Sequence, residues 1–152
     1  METIERNIET SAVKVGLMTF FGLAGYFFLM KLLGLTHILE LRFLNFVILA
    51  TGISVGIVRL KRELHENDFY LKGLAHGVYI TVVSVIFFAG FMALYLSLVD
   101  LELLGDIKQK APMGFTISGT SIFGALMMEG LASGVIISFI AMQYLKTVRR
   151  EE

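Results

Sequence analysis

Four long apolar stretches, about Val15 to Leu35, Phe43 to Val58, Leu74 to Val99 and Phe115 to Leu145, occupy most of the 152 residues. A helix needs ~20 mostly apolar residues to cross ~30 Å of hydrocarbon, and lipid offers the backbone no hydrogen-bond partner outside its own helix. The second stretch is the shortest. Arg42 and Arg59 at its flanks can reach the interfaces along their aliphatic stems, and Leu41 and Leu60 lengthen its apolar face. The pattern predicts an all-α polytopic membrane protein, one domain over 1–152. Its four transmembrane helices, at about 15–35, 42–62, 69–99 and 117–147, are expected to form an antiparallel bundle.

At 56% hydrophobic residues, a chain of this length has no room for a separate soluble domain. The formal net charge of 0 gives no argument for a nucleic-acid partner, so the expected surroundings are membrane lipid. Without cysteine there is no disulfide, thiolate nucleophile or iron–sulfur ligand. The first apolar stretch follows the acidic Met1-Glu2-Thr3-Ile4-Glu5 and precedes no small-residue cleavage pattern. It is therefore expected to stay as an uncleaved helix, and neither Met1-Glu2 nor Arg150-Glu151-Glu152 carries a lipidation motif.

Lys and Arg alternate in number along the flanks. Arg6 and Lys14, then Arg59, Lys61, Arg62 and Lys72, then Lys146, Arg149 and Arg150 place nine cations on one side. Lys31, Arg42, Lys108 and Lys110 place four on the other. The positive-inside rule makes both termini cytoplasmic. The connection after the second helix shows Leu60 and Leu64 on one face, an Arg62/Glu66 pair and a cap at Asn67-Asp68, so that helix is expected to continue out of the membrane. On the opposite side, Leu101 to Ile107 and the single proline, Pro112, read as a short interfacial helix and a turn.

Glu129 lies inside the fourth apolar stretch, far from any charged neighbour in sequence. An intramembrane carboxylate is costly and normally faces the bundle interior or water. At 1.5 Å per residue, Glu129, Lys31 and Arg42 each fall about 25 Å from a cytoplasmic-flank cation, and Asn45 lies one turn from Arg42. The four form a candidate intramembrane charge layer, with His37 and Glu40 beside it. It reads as an ion-pair network that fixes helix packing, as a substrate or ion site, or as snorkelling charges. Ser118, Ser133 and Gln143 share the Glu129 face of the fourth helix. Asn45, Gly52, Gly56 and Arg59 share a side of the second, so the two polar stripes are expected to face each other.

Three G-x-x-x-G pairs, Gly52/Gly56, Gly73/Gly77 and Gly130/Gly134, allow helices to approach closely, within the chain or between copies. Ala24-Gly25-Tyr26 echoes in Ala89-Gly90-Phe91, and Ala50-Thr51-Gly52-Ile53 in Ala132-Ser133-Gly134-Val135, as in a parallel repeat of two hairpins. His37, His65 and His76 have no metal-ligand spacing. The serines lack a G-x-S-x-G context, and no cofactor motif is present. No catalytic residue, metal site or cofactor is therefore expected.

Gly56-Ile57-Val58-Arg59-Leu60-Lys61-Arg62-Glu63, Phe69 to Gly73 leading to Gly77, Tyr95 to Asp100, Glu129-Gly130, and Gly134 to Ser138 before a basic end resemble a family of small four-helix membrane proteins of Bacteroidota, a domain of unknown function. The resemblance spans nearly the whole chain. It implies a bacterial inner-membrane location and transfers no functional residue. The expectation is a non-enzymatic protein acting through association, as a homo-oligomer or as an accessory subunit of a larger membrane complex. The alternative is a small transporter or channel with Glu129 as its ion or proton site.

Overall fold

The computed structural model describes residues 2–35, 42–61, 69–101, 104–105 and 118–148, with side chains for 9–35, 43–61, 70–101, 104–105 and 118–145. The expected outward continuation of the second helix, most of the interfacial helix and turn near Pro112, and His37, Glu40 and His65 lie outside these residues.

The chain folds into α1 (Glu2–Leu32), α2 (Arg42–Lys61), α3 (Phe69–Leu98) and α4 (Gly119–Val148). All four helices are long and apolar enough to cross a membrane, over Glu9–Leu32, Phe43–Lys61, Tyr70–Leu98 and Gly119–Leu145. α1 begins at Glu2, well before the apolar stretch that announced it, because helical backbone geometry continues through polar residues that hydropathy does not mark. Its other end is set by Gly34, at φ 68°. The amide of Leu35 donates to the carbonyl of Met30 (2.9 Å) and that of Gly34 to Lys31 (3.0 Å), which closes the helix with a left-handed glycine. α4 starts behind Ser118, whose hydroxyl accepts from the Ser121 amide at 3.3 Å, an N-cap.

α2 and α3 touch each other and both remaining helices, whereas among the described residues α1 and α4 do not meet, so the four axes outline a rhombus with α2 and α3 on its short diagonal. The α3–α4 contact is the most extensive. Ile53, Ile57, Ile80 and Met142 are fully buried at the centre.

Small residues let the helices close on one another. Gly52 receives Thr19 of α1, Gly56 receives Val15 and Ile80, and Gly130 receives Val85, two of whose methyl carbons would lie 2.7 Å from a Cβ placed there. Between α3 and α4 the arrangement is reciprocal: Thr81 sits on Gly134 and Ser138 sits on Gly77. Each hydroxyl donates to the glycine carbonyl one turn back in its own helix, Thr81 to Gly77 at 2.9 Å and Ser138 to Gly134 at 2.7 Å. The buried hydroxyls thereby donate within their own helix while they pack against the partner's glycine. Along α1 and α3 the packing is aromatic: Phe20 meets Phe87 at 5.9 Å between ring centroids, and Phe27 meets Tyr95 at 5.3 Å.

Candidate functional site

Polar groups gather in two places. The first is a groove of about 100 Å³ between α2 and α4, where Asn45, Glu129 and Ser133 stand among apolar walls that include Leu23, Leu49, Val85 and Phe88. The Oδ1 of Asn45 is buried and accepts no hydrogen bond. Glu129 stands at the groove's rim and is exposed on the outside of α4. Carboxylate and amide oxygens are acceptors, so the groove suits a hydrogen-bond donor or a cation.

The second lies at the shared end of α1 and α3. Lys31 Nζ pairs with an Asp100 carboxylate oxygen at 2.7 Å, hydrogen-bonds to the Tyr95 hydroxyl and stands 4.7 Å from the centre of the Tyr95 ring. The chain turns back after α3 to bring the carboxylate there, the Asp100 amide donating to the Tyr95 carbonyl at 3.1 Å. Lys31, in the last turn of α1, also complements the negative end of that helix.

Of the expected charge layer, Asn45 and Glu129 line one groove. Lys31 does not join them: its carboxylate is Asp100, and it lies about 12 Å along α1 beyond Leu23, which lines the Glu129 groove. Depth counted in residues from the flanks assumed upright helices of equal offset. The Arg42 side chain lies outside the described residues. The expected stripe on α2 also divides, because Asn45 faces α4 while Gly52 and Arg59 line a groove beside α1. On α4, Ser133 keeps company with Glu129, Gln143 donates to the Tyr70 hydroxyl at 3.3 Å, and exposed Ser118 bonds locally to Ser121.

Sequence reasoning missed two things. Asp100 was counted as part of a connection, and only the common end of α1 and α3 makes it the partner of Lys31. His76 was weighed only as a metal ligand, whereas it is buried to 3% exposure with neither ring nitrogen hydrogen-bonded. Among the described residues no three His, Cys, Asp or Glu side chains gather as they would around a metal ion.

No family model, curated protein or solved structure matches this chain.

Proposed function

We propose that this is a non-enzymatic integral protein of a bacterial inner membrane, an antiparallel four-helix bundle with both termini cytoplasmic, that acts by associating through the outer face of α4. The antiparallel reading rests on contacts that run in opposite directions, Val15 with Gly56 and Thr19 with Gly52, then Gly77 with Ser138 and Thr81 with Gly134.

One observation carries the association. Glu129 stands on an exposed face of α4 among Ala125, Met128, Ala132 and Ile136, at mid-span. A carboxylate open to hydrocarbon is costly even when paired, and small neighbours allow another helix to cover it closely. The partner is a second copy; an accessory role in a larger complex is the other form of the same reading. Light scattering of the purified protein in detergent tests it: a dimer or larger assembly is expected, and converts to monomer in Ala132→Trp. A monomer at all concentrations for the native chain contradicts it.

The unpaired Asn45 Oδ1 beside Glu129 favours one rival, a transporter or channel whose groove admits a cation or proton. Cation-dependent flux in proteoliposomes that disappears in Glu129→Gln, with oligomeric state and melting unchanged, would establish that rival.

A further inference from the structure

We infer that the groove between α1 and α2 is a binding site for one anionic phospholipid, its acyl chain along the helices and its phosphate on Arg59 and Lys14. The groove encloses about 320 Å³ and is lined by Val15, Met18, Thr19, Val47, Thr51 and Val55, with Gly52 in its floor and Arg59 at one end.

Three features select a lipid. The groove's two threonine hydroxyls are already spent on their own helices, Thr19 donating to the Val15 carbonyl at 2.9 Å and Thr51 to the Val47 carbonyl at 2.8 Å. Neither has a donor left for an occupant, so the walls between Val47 and Val55 accept hydrocarbon. From Val47 to Arg59 the groove follows α2 for about 18 Å, a little more than the ~15 Å depth of one leaflet, the distance from an acyl end to its headgroup.

The cations stand at one end only. Arg59 is one turn beyond Val55 on α2, and Lys14 is one turn before Met18 on α1, at the level where Val15 meets Gly56. Both are exposed, and among the described residues neither is engaged in an ion pair. Two uncommitted cations above an apolar slot complement a phosphodiester on a hydrocarbon chain.

The protein contains no tryptophan, so one inserted tryptophan reports its surroundings. Met18→Trp places the reporter at the groove and Leu94→Trp at an exposed position of α3 away from the association face, where the native side chains are 65% and 64% exposed. Each is measured in bilayers containing brominated phosphatidylglycerol or brominated phosphatidylcholine.

Quenching at Met18→Trp is expected to show phosphatidylglycerol preferred by about fivefold per cation, and the preference to fall stepwise in Arg59→Gln and in the added Lys14→Gln. Leu94→Trp should show no preference. Equal quenching by the two lipids at Met18→Trp overturns the site, and so does a preference that survives both glutamine substitutions. Loss of quenching by either lipid there means a second copy covers the groove, which also overturns it. Both side chains are exposed, so the glutamine variants are expected to keep the fold, which unchanged melting verifies.

Discussion

At the scale of single residues, polar groups in this bundle divide into those answered within the chain and those left open. Lys31 and Asp100 answer each other while remaining 39% and 14% exposed, so water and headgroups screen the pair. Lys31→Met is expected to lower the melting temperature slightly, and Lys31→Met with Asp100→Asn to lower it by less than the two single changes together. Melting of the four proteins in detergent gives the coupling; additive losses would show that the pair contributes nothing. Asn45 is the opposite case, a buried acceptor without a donor. If it has no external ligand, Asn45→Leu is expected to stabilise the protein by about 1 kcal/mol, since an unsatisfied buried group costs ~1–3 kcal/mol. A lowered melting temperature would show instead that a water or cation occupies the groove.

At the scale of helices, close approach rests on a few glycines. A Cβ at Gly134 would overlap Thr81, whereas one at Gly124 meets nothing within 4 Å. Gly134→Ala is therefore expected to destabilise by about 1–3 kcal/mol through overpacking, and Gly124→Ala to be neutral or to stabilise by about 0.5–1 kcal/mol through backbone entropy. Equal effects on melting would mean that α3 and α4 do not seat as described. The four helices were legible in hydropathy because lipid demands unbroken apolar length. Helix ends were less legible: polar Glu2 to Lys14 gave no hydropathic sign of helix, while Gly34 and Ser118 mark their ends by backbone geometry and a cap. The Glu129 groove was half legible. Periodicity put Ser133 beside Glu129, but nothing in the sequence tells which neighbour each side of α2 meets: Gly52 and Arg59, on the side of Asn45 by periodicity, line the groove beside α1, and Lys31, level with Glu129 by residue count, pairs with Asp100.

At the scale of the whole molecule, the rhombic arrangement leaves α1 and α4 at opposite corners, each with a broad outer surface. Both expose large apolar side chains, Phe21, Leu29 and Leu32 on α1 and Met128, Ile136 and Ile140 on α4, and α4 adds Glu129 between Ala125 and Ala132. The absence of cysteine makes both topology and association accessible to single inserted cysteines. The proposed orientation predicts that a cysteine at Glu66 resists an impermeant reagent in intact cells and that one at Lys108 reacts; the reverse pattern would invert the bundle. Association through α4 is tested most directly by oxidative cross-linking in native membranes of Ala132→Cys against Phe21→Cys. A disulfide-linked dimer is expected from Ala132→Cys and none from Phe21→Cys, while monomer alone from Ala132→Cys, or equal cross-linking from both, would contradict association through that face.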